Sequence, residues 1–266
     1  MIKKNVTCII QARIESTRLP AKILLPGYNK PLLLHLIERL KKSKFIKKII
    51  VKTSTNKIDE IIFDLCKYNK IEVFRGNSLD LLDRYYKCSK KYKANDILRI
   101  TSDCPLMDFK LVDSVIEKYF LTNSDYTSNI HPPSFPDGFD IEIFNFKTLK
   151  KTFLKAKKRH EREHVTPYMW DKPGSFKVTN YSNDTINYYN KYRLTIDYKE
   201  DFFVISKIFN KLYPKNKYFT LEDVIEYLKK NMKILINKKF IKVNWFRYHL
   251  KELRTISKKD TKVKFL

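Results

Sequence analysis

A chain of 266 residues with 43% hydrophobic content is long enough for one large α/β domain with its own core, and its four cysteines, which lack CxxC spacing, exclude a disulfide framework or a zinc knuckle. No run approaches the roughly 18 consecutive apolar residues of a membrane span and no signal-peptide pattern opens the chain, so a cytoplasmic protein without membrane insertion is expected. The formal charge of +26 suits polyanionic partners, yet the lysines are spread along the whole chain without a block of like charge, which equally describes a solvated surface.

Short β-branched runs alternate with helical patterns from the start. Val6 to Gln11 reads as a strand, Pro31 to Lys42 as a helix, Ile49 to Ser54 as a strand and Ile58 to Tyr68 as a helix. The alternation continues with strand Ile71 to Arg75, helix Leu79 to Tyr92, strand Asp96 to Thr101 and helix Phe109 to Phe120. Such a rhythm predicts an α/β fold with a mainly parallel central sheet and helices on both faces. Past Asp125 it changes to a strand-like pair, Tyr126 to Ile130 and Phe139 to Phe144, joined by the Pro- and Gly-containing turn 131–138. Phe176 to Tyr181 and Arg193 to Asp197 read as further strands, followed by helices Asp201 to Leu212 and Leu221 to Asn231. We read residues 1–240 as a single domain, within which the less regular stretch after Asp125 could line a pocket. Residues 241–266 form a basic arm: a terminal extension, a dimer contact or a weakly ordered tail.

In open α/β sheets ligands sit beyond the carboxyl ends of the strands. There the first strand runs into Arg13, Ser16, Thr17, Arg18 and Lys22, three cations and two hydroxyls within ten residues, which suits a triphosphate. Arginine grips phosphate oxygens bidentately and lysine adds a mobile point charge, so Arg13 and Lys22 would neutralise a leaving pyrophosphate. A solvated loop in a lysine-rich chain is the plain alternative. With only Gly27, Gly76, Gly138 and Gly174 present, neither a Walker loop nor a GxGxxG fingerprint is available. Thr101 and Asp103 close another strand, and Asp103 is placed either to hold Mg²⁺ against phosphates or to cap a helix. Asp197 is the candidate second metal ligand, with Asp201 capping the following helix.

These stretches resemble the cytidylyltransferase family of the spore-coat polysaccharide protein SpsF, related to the acylneuraminate and 3-deoxy-manno-octulosonate cytidylyltransferases. The resemblance is carried by IIQARIESTRLPAKILLP at 9 to 26, FRGNSLDLLDRYY at 74 to 86 and RITSDCPLMD at 99 to 108. FPDGFDIEIF at 135 to 144, EREHVTPYMW at 161 to 170 and RLTIDYKEDF at 193 to 202 extend it. It implies a Rossmann-like nucleotidyltransferase fold of the glycosyltransferase A type, and attack of an acceptor oxygen on the α-phosphorus of CTP with Mg²⁺ as cofactor. By the same resemblance Gln11, Ala12 and Arg13 meet the nucleotide, Arg18 and Lys22 the phosphates, and Asp103 and Asp197 the metal. Asp83 and Arg84 match a stretch near the nucleotide, although an ion pair on a helix face also accounts for them. A homodimer is a further implication, with 125–200 as the acceptor-binding and dimerisation subregion of the 1–240 domain.

Asn129, Asp137, Asp140, Glu142, Glu163 and His164 fall in or near the matching stretches and offer donors and acceptors for a polyhydroxylated or phosphorylated acceptor; turn and cap chemistry is the competing account, above all for Asp137-Gly138. The string His160-Glu161-Arg162-Glu163-His164 matches the HExxH pattern of zinc proteases, but Lys157, Lys158 and Arg159 on one side and Pro167 on the other argue against the required amphipathic helix. A surface helix with His164 turned towards the acceptor is expected. The rival function is a basic nucleic-acid-binding protein, favoured by the net charge, 17 tyrosines, 18 phenylalanines and the arm residues Trp245, Phe246, Arg247 and Tyr248. No recognised nucleic-acid motif supports it, and no specific nucleic-acid partner is expected.

Overall fold

The computed structural model describes residues 5–243 and 245–255. The first half contains β1 (Val6–Gln11), the two-residue strands β2 (Pro26–Gly27) and β3 (Lys30–Pro31), α1 (Leu32–Leu40), β4 (Ile46–Ser54), α2 (Glu60–Tyr68), β5 (Glu72–Gly76), α3 (Leu81–Lys91), β6 (Asp96–Thr101) and α4 (Phe109–Thr122). The second half adds β7 (Tyr126–Ser128), β8 (Glu142–Asn145), α5 (Phe146–Lys155), α6 (Arg159–His164), α7 (Pro167–Trp170), β9 (Val178–Asn180), α8 (Lys199–Leu212), α9 (Leu221–Lys230) and α10 (Trp245–His249).

Seven strands form one sheet in the order β5-β4-β1-β6-β8-β7-β9. Pairing is parallel from β5 through β6, and β8 runs antiparallel to both of its neighbours. The expected mainly parallel sheet is therefore present. β1 and β6 bury Cys8, Ile9, Ile10, Ile97, Leu98 and Ile100 because helices cover both faces of the sheet. On one face Leu33, Leu36 and Ile37 of α1, Val112 and Val115 of α4, and Val204 and Ile208 of α8 pack against Cys8, Ile10 and Leu98. On the other, Leu82, Tyr85 and Cys88 of α3 and Leu149 of α5 pack against Ile9, Ile50 and Ile97. Burying each large aliphatic side chain contributes roughly 1.5–3 kcal/mol. Polar side chains start the helices: Asp80 accepts from the Asp83 N–H (2.9 Å), Asp108 from the Lys110 N–H (2.8 Å) and Asn145 from the Thr148 N–H (2.7 Å).

The strand order reverses between β1 and β6, and Gln11 and Thr101 are register partners at the carboxyl ends of that pair. This is the switch point at which an open sheet leaves a crevice. The structure departs from the sequence pattern in two places. Arg193 to Asp197 forms no strand; a single bridge joins Arg193 to Asp137, because the segment crosses the ends of loops and does not join the sheet edge. The lysine-rich stretch Phe146–Lys155, unassigned from its pattern, is a helix that buries Leu149. The HExxH segment is a helix with Arg159 and Glu163 exposed on its outer side, while His160, 4% exposed, faces inward, where His249 and Glu252 of the arm cover it. The arm, of which residues 256–266 lie outside the described residues, is helical over Trp245–His249. No helix among the described residues is long and apolar enough to cross a membrane.

Candidate active site

The cationic loop after β1 is pinned at its root. The Ala12 N–H donates to the Lys52 carbonyl (2.9 Å), the Ile14 N–H to the buried Asp59 carboxylate (2.7 Å) and the Ala21 N–H back to the Ile14 carbonyl (3.1 Å). Asp59 also accepts from the Ser54 hydroxyl at the end of β4, so one carboxylate ties the loop to the next strand. Nothing in the sequence pattern singles Asp59 out.

Lys22 leaves this loop and reaches across the switch point. Its Nζ donates to Asp103 Oδ2 at 3.0 Å and Asp197 Oδ1 at 2.8 Å, and also to the Ile196 carbonyl. Arg18 bonds the same Asp197 oxygen at 2.6 Å. Burial raises the Asp103 carboxyl, but the Lys22 ammonium and the hydrogen bonds from Thr101, Lys22 and its own backbone together outweigh it and bring the pKa down to about 2. Lys22 is itself raised, burial being offset by the two carboxylates.

The Asp197 segment is held by Arg193, 2% exposed, whose guanidinium bonds Asp137 (2.8 Å), Asp197 (2.9 Å) and Asp201 (3.1 Å). Burial opposes this charge, yet the three carboxylates raise its pKa. Asp201 accepts from the Asp197 and Tyr198 N–H groups, both at 3.0 Å, the expected capping role at the start of α8. Gly138 makes the crossing possible: its φ is +105°, and a Cβ there would lie 2.3 Å from the Leu194 carbonyl carbon.

These groups open onto a cavity of about 490 Å³. Of the expected residues, Gln11, Arg18, Thr101, Asp103, Asp137, Asp140, Glu142, Glu163, His164 and Asp197 line it. Gln11 Oε1 is buried and has no hydrogen-bond partner among the described residues. Asp140 is raised by burial and then by Asp137, Glu142 and Asp103. Glu142 accepts from Arg99 and from the Tyr126 hydroxyl. Burial, then His249 and Arg99, lowers His164 to about 3, so its ring is neutral at pH 7.

Other expected residues stand elsewhere. Arg13 and Thr17 are exposed on the loop, Ser16 accepts from the Leu19 N–H, and Ala12 is buried in the core. Asp83 bonds Lys87, while Arg84 donates to the Asn77 and Ser78 carbonyls; both are buried on α3 and neither lines the cavity nor pairs with the other. Asn129 spends its amide on the backbone of Phe139 (2.7 Å) and Ile141 (2.9 Å), which makes it a support for the 139–141 loop. Missed by the sequence reading were Arg99, His131, Trp170 and Arg193, together with Val243, Phe246, Tyr248 and His249 of the arm. Of these, Arg99, Trp170 and Arg193 had a local signal, their places in RITSDCPLMD, EREHVTPYMW and RLTIDYKEDF.

Among the described residues no group of three or more His, Cys, Asp or Glu side chains converges as a metal cage. Asp103 and Asp197 nevertheless share one cation, the Lys22 ammonium, and two carboxylates with bound phosphates suffice for Mg²⁺. The donor set fits that ion.

A seven-stranded, mainly parallel sheet with its crevice at the β1/β6 switch point, covered on both faces, has the nucleotidyltransferase fold. The chain matches the cytidylyltransferase family over residues 7–242 and belongs to it. A cytidylyltransferase structure from Leptospira borgpetersenii superimposes with a TM-score of 0.83 at 37% identity, covering 88% of this chain and 97% of that one. The spore coat polysaccharide biosynthesis protein SpsF of Bacillus subtilis is 34% identical over 212 residues, 78% of this chain and 87% of that protein. An uncharacterized protein of Methanocaldococcus jannaschii is 39% identical over 231 residues, 85% of this chain and 91% of its own length.

Proposed function

We propose that the protein transfers CMP from CTP to a sugar acid or phosphorylated small-molecule acceptor, with release of pyrophosphate, in the synthesis of a surface polysaccharide or glycoconjugate precursor. An acceptor oxygen forms a bond to the α-phosphorus as the bond from that phosphorus to the bridging oxygen breaks. The observation that carries this reading is the meeting of Lys22, Arg18, Asp103 and Asp197 at the β1/β6 switch point, with a cavity beside them. Family membership and the name of the Bacillus relative, spore coat polysaccharide biosynthesis, support it.

In this reading Gln11 meets the nucleotide, and Arg18 and Lys22 hold phosphate oxygens, joined by Arg13, Ser16 and Thr17 of the same loop, while Ala12 packs beneath it in the core. Asp103 and Asp197 would hold Mg²⁺, which supplies charge for the phosphates and the departing pyrophosphate. Asp137, Asp140, Glu163 and His164 face the acceptor. Positioning and charge neutralisation supply most of the rate in such transfers, so the protein needs few covalent steps of its own.

The test is pyrophosphate release from each of the four nucleoside triphosphates with Mg²⁺, against sugar acids and phosphorylated acceptors, with Asp103→Ala as control. Acceptor-dependent release from CTP that disappears in the variant is the expected result. Failure of the wild-type protein to bind CTP overturns the reading.

A further inference from the structure

The segment that carries Asp197 belongs to no strand, so the sheet does not fix where its carboxylate points. Its backbone rests on two loops: the Leu194 N–H donates to the Asp137 carbonyl (2.7 Å) and the Ile196 N–H to the Asp103 carbonyl (3.0 Å). A third support comes from the C-terminal side. The short 3₁₀ turn Ile236–Phe240 packs against α8, and the side chain it buries is polar: Asn237, 1% exposed.

Asn237 Nδ2 donates twice to this segment, to the Arg193 carbonyl at 2.9 Å and to Asp201 Oδ1 at 2.8 Å. Both partners only accept, which fixes the orientation of the amide. With Oδ1 taken by Asn237 and by the Arg193 guanidinium (3.1 Å), Asp201 presents Oδ2 to the Asp197 and Tyr198 N–H groups. Arg193 in turn holds Asp197 Oδ2 at 2.9 Å, and Oδ1 is the oxygen turned to Lys22 and Arg18. The same turn lays Phe240 flat on the ring of Tyr198, the residue after Asp197, at 3.9 Å between centroids and 8° between planes.

Resting on the cytidylyltransferase reading, in which Asp197 holds Mg²⁺, we propose that Asn237 is a positioning residue for that carboxylate and that the turn 236–240 is its support. An amide suits the task. Three carboxylates and one guanidinium already meet here, and a further cation would compete with the metal for Asp197, whereas a neutral amide fixes Asp201 without adding charge. Removing the amide leaves the Arg193 carbonyl without this donor and Asp201 with one bond fewer, so Asp197 loses its set angle while its own atoms stay intact. Hydrogen-bonded support of a metal's ligands is worth roughly 10–100-fold in metal affinity. An asparagine that served stability alone would change the melting temperature and leave the metal requirement as it was.

The test uses the full-length protein, with CTP titrated calorimetrically in EDTA and at stepped Mg²⁺ concentrations, and pyrophosphate release followed over the same Mg²⁺ series. Asn237→Leu removes the amide at similar volume, and Phe240→Ala removes the stack from a half-buried position. Val224→Ala, in the core on α9 and outside the cavity, is the control for lost stability. Asn237→Leu is expected to keep CTP affinity in EDTA within about twofold, and to raise the Mg²⁺ concentration that half-saturates CTP binding and turnover at least about tenfold. Excess Mg²⁺ should restore most of its kcat. Phe240→Ala should shift the Mg²⁺ requirement in the same direction by a smaller factor, and Val224→Ala should lower the melting temperature without shifting it. An unchanged Mg²⁺ requirement in Asn237→Leu, or in Phe240→Ala if the first variant does not fold, overturns the inference, as does an equal shift in Val224→Ala. A parent protein that binds CTP indifferently to Mg²⁺ also overturns it, whereas a parent that does not bind CTP removes the reading on which it rests.

Discussion

Lys22 and Lys52 show how burial and partners decide what a lysine does. Lys22 Nζ has two carboxylates within 3.0 Å and stays charged. Replacing it with Met removes a cation preorganised where pyrophosphate charge develops, so kcat is expected to fall by about 10²–10³ with an unchanged circular dichroism spectrum; a loss confined to the KM for CTP would show that Lys22 only binds. Lys52, on β4, is fully buried and its Nζ has no hydrogen-bond partner among the described residues. Burial, then the cations Arg84 and Arg99, drives its pKa well below the ordinary lysine value, which favours the neutral amine for this group, 3.7 Å from the Tyr85 ring centroid. Between that lowered value and the ordinary one near ~10.4, the unfolded chain binds one more proton than the native state, and stability from this residue rises with pH by up to ~1.4 kcal/mol per unit. Lys52→Met removes this penalty. In urea titrations the variant should be more stable than the parent at pH 7, with a gap that narrows by pH 9; a gap independent of pH would mean that Lys52 is charged in the folded protein.

At the scale of elements, the crossing of 193–197 over the 137–138 turn is the weak joint of the site. Gly138 lies in the left-handed region, and a methyl group there meets the Leu194 backbone. Gly138→Ala is expected to cost about 1–3 kcal/mol and lower the melting temperature by about 2–12 °C. Because Leu194 is three residues from Asp197, displacement should also cut kcat/KM for CTP at least about tenfold; a variant with native melting and activity would show that the turn yields freely. The same joint marks where the sequence stopped being legible. β1, β4 and β6 could be read because strands buried on both faces carry apolar clusters, here Cys8 to Ile10, Ile49 to Val51 and Ile97 to Leu98, and the cationic loop because its residues are neighbours in the chain. The 193–197 segment alternates like a strand, but what fixes it is backbone bonding to Asp103 and Asp137 from distant loops. α5 was hidden by its lysines, which leave Leu149 as its one fully buried large aliphatic. Trp170, His131 and Phe246 meet only in three dimensions, so no local pattern announced their meeting in the cavity wall.

At the scale of the whole molecule, the charge of +26 acts on encounter more than on the cavity itself. Inside, cations and carboxylates are matched: Arg193 holds three carboxylates, Lys22 two, and Arg99 is paired with Glu142. Excess positive charge therefore belongs largely to the exposed lysines, and a triphosphate approaching through solvent feels their summed field. That field is screened over about 10 Å at 0.1 M salt, whereas the half-buried pairs at the switch point are screened far less. Raising ionic strength from roughly 20 to 300 mM should accordingly lower kcat/KM for CTP by about tenfold through KM, with kcat nearly constant. Random oligonucleotides should bind only at the low end of that range, with a steep logarithmic salt slope, and should leave turnover at 300 mM untouched. Oligonucleotide binding that persists at 300 mM and competes with CTP would mean that the lysine surface is a nucleic-acid site in its own right, because diffuse charge alone does not hold a polyanion at that ionic strength.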